Sequence, residues 1–274
     1  MSARNSLRGR VPGQLVMSEI MTAQNAQPER SLLQRVFGVS PLTTRTRPLY
    51  RAALAELLVG TVLDNLGPEW DVLHVVPVDD SAHEIDHLVI GPAGIFCFVT
   101  RNFAEQKVEV YHDSLLVGGA RRNDMAVARE LAANATSLLS AAIARPITVH
   151  PVLVLVDPAK LVVQEQPFRL TVVSSRNVVR WLTRHERTLV GTEVAFVSDI
   201  ADRIDTWRST AYAHDDDQDA EQDTEQLNRE FATLRESVRS AVRVSVGWWI
   251  AACILISSGA GIATATLMNS VIAR

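Results

Sequence analysis

Three acidic residues and one arginine have the types and spacing to act on a phosphate. Glu84 and Asp86 stand two apart in "HEIDHLVIGPAGIFCFVTRNF" (residues 83–103), Arg101 lies near the end of that stretch, and Glu56 lies upstream in "LYRAALAELLVGTVLDNL". Clustered carboxylates are the hard oxygen ligands that hold Mg²⁺, and Mg²⁺ polarises a phosphodiester for attack by a positioned water. In the later half of residues 83–103 stands Val99, which offers a metal no ligand. Arg101 can stabilise developing negative charge, but with a pKa above about 12 it cannot accept a proton.

The elements that must position these residues follow from periodicity. Residues 83–103 form a β-hairpin, and if "GPAG" makes the connection so that Ile90 faces Ile95, paired numbers sum to 185. Leu88 then faces Cys97, Asp86 faces Val99 and Glu84 faces Arg101, all on one side, because strand side chains alternate with period two. A slip of one residue would send Asp86 to the other face. Glu84 has two roles open to it, a cross-strand pair with Arg101 worth roughly 0.2–1 kcal/mol, or a carboxylate lent to a metal beside Asp86. In the upstream helix, at about 100° per residue, Glu56 falls at the centre of an arc of Leu49, Ala52, Ala53, Gly60 and Leu63 that should face the sheet. An unpaired carboxylate there is costly, so it is either held by an ion pair or hydrogen bond, or it belongs to a site with Asp86.

Around this pair the segments alternate in type, which predicts an α/β fold with a mixed central sheet flanked by helices. "DVLHVVPV" is a strand, "DDSA" a turn, and "VEVYHDSLLVGG" a strand pair turning at His112–Ser114. "DMAVARELAANATSLLSAAI" is a long helix, "ITVHPVLVLVD" a buried strand and "RLTVVS" another strand. "RNVVRWLTRHE" is predicted as a helix, "EVAFVS" as a strand and "IADRIDTWRSTA" as a closing helix.

The glutamate of "AE" on the first helix, "EIDHLVIGPAGIFCF" and "TRNF" together resemble the nuclease-related domain (NERD) family, where similar runs read GE, (E/Q)IDHLVxGPxGVFxIE and TKN. The family resembles the wider PD-(D/E)xK nuclease fold, and the likeness covers about residues 48–210, densest over 84–103. It implies that Glu56 and Asp86 occupy acidic active-site positions. It also implies that Val99 stands in place of the second hairpin carboxylate and that Arg101 replaces the lysine. A helix glutamine of the family has Val127 as its counterpart here. The resemblance implies Mg²⁺ as cofactor if the centre is active, and none otherwise.

The flanks set the rest of the organisation: a basic arm without regular structure (1–45), the globular domain (46–212), an acidic linker (213–226), an amphipathic helix (227–243) and a membrane span (244–273). Net charge runs +6 over residues 1–51, −6 over 52–214, −7 over 215–225 and +3 over 226–274, so the domain lacks the overall positive field that long nucleic-acid tracks reward. Residues 244–273 contain no charged side chain, which exceeds the roughly 20 residues that cross a bilayer. Arg235, Arg239 and Arg243 before that run, with Trp248 and Trp249 at its start, predict a single pass at the cell membrane with the domain in the cytoplasm. Small residues at Ser257, Gly259, Gly261 and Ala263 permit a homodimer through the span, and Leu227, Phe231, Leu234, Val238 and Ala241 make an apolar seam ahead of it. Two cysteines exclude a disulfide framework or a cysteine-rich metal site. His74, His83, His87, His112 and His150 lack metal-ligand spacing, no phosphate-binding glycine loop is present, and Arg121 and Arg122 are either phosphate contacts or surface. Three readings stand. The first is a membrane-tethered nuclease-related module with an impaired centre that binds DNA or scaffolds; the second is an active Mg²⁺-dependent nuclease using Glu56, Glu84, Asp86 and Arg101. The third is a membrane-proximal protein-interaction module.

Overall fold

The computed structural model describes residues 6–28, 30–78, 84–207 and 220–272, with side chains of the last helix described at 224–251 and at Cys253. In chain order the elements are α1 (Gln14–Asn25), α2 (Leu32–Val36), α3 (Thr46–Leu63), β1 (Asp71–Val76), β2 (Ile85–Gly91), β3 (Gly94–Asn102), β4 (Lys107–Val110), β5 (Leu115–Val117) and β6 (Ala120–Arg122). They continue with α4 (Asp124–Ile143), β7 (Val149–Val156), β8 (Lys160–Val163), β9 (Thr171–Ser174), α5 (Val178–Leu182), α6 (Gly191–Ala201) and α7 (Ala220–Ile272). The chain divides into one unit of Met1–Ile20 with Pro48–Leu227 and a second of Met21–Arg47 with Asn228–Arg274.

The first unit is built on a five-stranded sheet in the order β1-β2-β3-β7-β9. The β1-β2-β3 part is antiparallel, and β3-β7-β9 is parallel. This is the expected mixed sheet. Both faces are covered, which is why "VHPVLVLV" is apolar almost throughout. Ile95, Cys97 and Val99 of β3 share one core with Leu153 and Leu155 of β7 and with Met125, Ala128, Leu131 and Leu139 of α4. Phe96, Phe98, Val152 and Val154 point the other way, to Ala55, Val59 and Leu63 of α3 and Val178 and Leu182 of α5. A smaller sheet, β6-β5-β4-β8, extends from the expected hairpin of β4 and β5.

Several expectations are corrected. "EVAFVS" lies in helix α6, not a strand, because its Val194 and Val197 recur at helical spacing with Ala201 beyond it, and all three are buried. "IADRIDTWRSTA" gives the end of α6 and a 3-10 turn at Ile204–Thr206, and its last residues lie outside the described ones, as does "DDSA". Strands β6 and β8 were not expected. Residues 6–45 carry two helices rather than an unstructured arm: Leu7, Met17 and Ile20 are fully buried, and Asp202 accepts hydrogen bonds from the Leu7 and Arg8 amides at 2.9 Å each. Helix α7 begins inside the expected acidic linker.

In the second unit Phe231, Leu234 and Ala241 of α7 are buried, so the expected seam is present. Trp248 Nε1 donates to Val36 O at 2.8 Å and its ring lies 5.5 Å from that of Phe37, which fixes α2 to α7. Among the described residues no helix is long and apolar enough to cross a membrane. The helical backbone runs through the expected span, but its described side chains include Arg235, Glu236, Arg239 and Arg243 and end at Cys253. Most of residues 244–273 lie outside the described side chains.

Candidate active site

The site is assembled at the open end of the β2–β3 hairpin. The observed pairs Leu88↔Cys97, Ile90↔Ile95 and Gly91↔Gly94 all sum to 185, which is the register read from the sequence. Asp86 Oδ2 accepts the Thr100 amide at 2.5 Å, so the carboxylate is tied to the backbone of the facing strand. Val99 is 1% exposed and packs in the core shared with α4.

The end of β3 brings Arg101 to the same place. Its Nε donates to Asp124 Oδ1 at 2.7 Å, its Nη1 donates to Thr100 O at 2.7 Å, and Nη1 lies 3.7 Å from Asp86 Oδ2. Burial alone would lower the pKa of this guanidinium, but Asp86, Asp124 and Glu56 together outweigh it and raise the pKa. Arg101 is therefore paired chiefly with Asp124, not with Glu84 as the hairpin register suggested. Asp124 opens α4, is buried, and also accepts Arg122 Nε at 3.2 Å. Sequence reasoning missed it, because 23 positions separate it from Arg101 and it has the look of an ordinary acidic residue in a helix's first turn.

Glu56 reaches the cluster from α3. That helix meets the sheet through Ala55, Val59 and Leu63, while Ala53 and Gly60 lie under the incoming chain. A Cβ on Gly60 would stand 2.3 Å from Pro12 Cγ, and Gly13, at φ +75°, passes within contact of Ala53 and Glu56. Glu56 thus lies between the two covered rows, a correction to the arc that included Leu49 and Ala52, both half-buried. Burial is the largest reason its pKa is pushed well above the ordinary 4.5; Asp86 raises it further, Arg101 opposes, Glu84 adds to the rise and the Gly13 amide slightly lowers it. Glu56, Glu84, Asp86 and Arg101 are therefore brought into one electrostatic cluster.

Residues 51–156 match the family model of the nuclease-related domain. Over these residues the chain is similar to that family. No curated protein and no solved structure matches the chain. The mixed sheet with its carboxylate-bearing hairpin is consistent with the PD-(D/E)xK fold that this family resembles.

Within the matched region the donor set does not fit Mg²⁺. Val99 gives no oxygen, Asp86 Oδ2 is engaged by the Thr100 amide with Arg101 close by, and the guanidinium stands among the carboxylates where a cation would be needed. Among the described residues no group of three or more His, Cys, Asp or Glu is arranged to hold a metal ion. Cys97 is no nucleophile, since burial, aided by Asp86, pushes its thiol pKa well up. Val127 is half-buried against the core. His74 and His87, expected to be scattered, face each other across β1 and β2 with Nδ1 atoms 2.8 Å apart. Burial lowers both pKa values, that of His74 to about 4, which makes them a neutral structural pair.

Two outcomes test this arrangement. Asp124→Ala strips the part-buried Arg101 of its shortest ion pair and should cost about 3 kcal/mol or more in urea unfolding. Glu56→Gln should raise the denaturation midpoint at pH 8. The native pKa of Glu56 is raised, so ionised Glu56 penalises the fold above that pKa; the penalty fades as pH falls through it and is gone below the unfolded value near 4.5. The advantage of Glu56→Gln should therefore close toward pH 4.5, and a constant difference across this range would contradict the assignment.

Proposed function

We propose that this nuclease-related domain does not hydrolyse phosphodiesters with a divalent metal and serves as a nucleic-acid-binding module. The observation that carries the reading is the guanidinium of Arg101, held between Asp124 and Asp86 with Val99 buried across the hairpin from Asp86. A fixed cation there competes with Mg²⁺ for the same carboxylates. Arginine can neither activate a water nor ligate a metal. Charge supports local binding rather than a continuous track, since the domain is acidic in sum.

Cleavage assays test this reading directly. Wild-type chain should leave plasmid and single-stranded DNA intact in Mg²⁺ and Mn²⁺. Val99→Glu should lose several kcal/mol in metal-free buffer, because it buries a second carboxylate against Asp86, and Mn²⁺ should return part of that loss as a rise in melting temperature. Combining it with Arg101→Lys should strengthen the metal response before any turnover is seen, since binding needs ligands alone whereas hydrolysis also needs a placed water. Wild-type cleavage that Asp86→Ala abolishes would overturn the proposal in favour of an active nuclease drawing on Glu84.

The reading includes attachment to a membrane with the domain on the cytoplasmic side. Its support is the uncharged run at 244–273 and the three arginines before it, together with the exposed apolar surface of Leu32, Leu33, Phe37, Trp248 and Trp249 in the second unit. Full-length chain should sediment with membranes after a carbonate wash, and a chain ending at Arg243 should move to the supernatant. A full-length chain that stays in the supernatant would remove the membrane from the proposal.

A further inference from the structure

Beyond the family-matched residues, α5 and the turn that follows it carry a concentration of charge at odds with the acidic domain. Residues 176–187, "RNVVRWLTRHER", hold four arginines against one glutamate, Glu186. A cavity of about 470 Å³ opens on this segment, lined by Asn177, Arg180, Trp181, Arg184 and His185. Arg176 is paired with Asp157, but Arg180 and Arg184 have no ion pair among the described residues, although both face one cavity. Arg180 lies in α5 and Arg184 in the turn just after it, so two exposed guanidinium groups line the same opening.

Trp181 and His185 form an aromatic wall of the cavity, and the buried Phe96 packs against both. The Trp181 ring lies 4.5 Å from His185 and 5.5 Å from Phe96, both nearly perpendicular to it, and Phe96 lies 5.5 Å from His150. His185 Nδ1 stands 2.8 Å from the Trp181 carbonyl; a carbonyl only accepts, so Nδ1 carries the proton and the ring is held in place. The wall is anchored to the tip of the hairpin, where Pro92 O accepts the amides of Thr188 and Leu189 at 2.7 and 3.0 Å. Asp86 lies at the opposite end of β2, five residues and roughly 17 Å from Gly91.

We infer that the α5 cavity is a binding site for a phosphorylated nucleobase, such as an unpaired base of a single strand stacked on Trp181 with its phosphates held by Arg180 and Arg184. Guanidinium forks match phosphate oxygens bidentately, an indole offers a stacking face to any base, and the Asn177 amide can both donate to and accept from a base edge. A paired base has no face to offer, which favours a single strand over a duplex. The inference rests on the proposal that the chain binds nucleic acid, and names where.

Full-length chain in mild detergent should bind fluorescein-labelled oligothymidylate by anisotropy more tightly than a duplex of equal length. Arg180→Ala/Arg184→Ala should weaken binding about tenfold and make the slope of log K against log salt shallower by roughly 1.4, about 0.7 for each lost phosphate contact. Trp181→Ala should weaken binding roughly tenfold with the slope unchanged, Trp181→Phe should retain most of it, and Arg121→Ala should bind as wild type. Melting temperatures of the arginine variants should match wild type, since both side chains are exposed. Displacement of the strand by thymidine monophosphate would assign the same cavity to a free nucleotide, and failure to displace would assign it to a strand. If wild type binds and the α5 variants bind equally well, the site is wrong while the nucleic-acid reading stands; if wild type binds no oligonucleotide at low salt, both fall.

Discussion

The ion pair of Arg101 with Asp124, with Asp86 on its other side, is the interaction on which the candidate centre turns. It joins the end of β3 to the first residue of α4 and sets a cation beside the carboxylate of β2. Without it, Asp86, Glu84 and Glu56 would leave a partly buried cluster of like charge. With it, part of that negative charge is offset, and the remaining cost falls on Glu56, whose burial makes ionisation costly. The guanidinium supplies positive charge to the cluster, but that charge is fixed and it offers no coordination position.

Asp124 has a second use that explains why the pair is placed there. It stands in the first turn of α4, where unsatisfied amides and the helix dipole favour negative charge, and Asn123 before it makes no side-chain cap. Arg122 adds a second cation. The helix that covers one face of the sheet and the cation that partly offsets the acidic cluster are therefore held by one carboxylate.

The hairpin was legible because its signals are local. "GPAG" fixes the turn, alternation fixes the faces, and Leu88↔Cys97 follows by counting. The bounds of α4 were equally plain, since "DMAVARELAANATSLLSAAI" has an acidic first turn and a long apolar period. What failed was tertiary. Six apolar-rich residues in "EVAFVS" fit a strand or a helix, and flanking context, with Glu193 Oε2 accepting the Val190 amide at 3.2 Å, decides for the helix. Leu7 is a lone leucine among arginines, and nothing nearby in sequence says that it enters the core. Arg101 had Glu84 opposite by register and Asp124 by folding; the signal that could have found the latter was the acidic residue after "RRN" at a helix entrance. His74 and His87 meet because β1 pairs with β2 in a register that sums to 161, and that requires knowing which strands are neighbours.

Val99 shows why the proposed loss of metal chemistry and the stability of the fold go together. A buried valine gains about 1.5 kcal/mol or more from leaving water, and it asks nothing of its surroundings. A carboxylate in that position would lie across from Asp86 in the core shared with Cys97 and Met125, and would fold well only with a cation bound between the two. A metal centre therefore makes part of the fold conditional on the metal, whereas Val99 with Arg101 makes it unconditional. On the proposed reading the hairpin keeps the architecture of a nuclease, its own arginine supplies the positive charge, and what remains for function is the capacity to bind anions elsewhere on the same sheet.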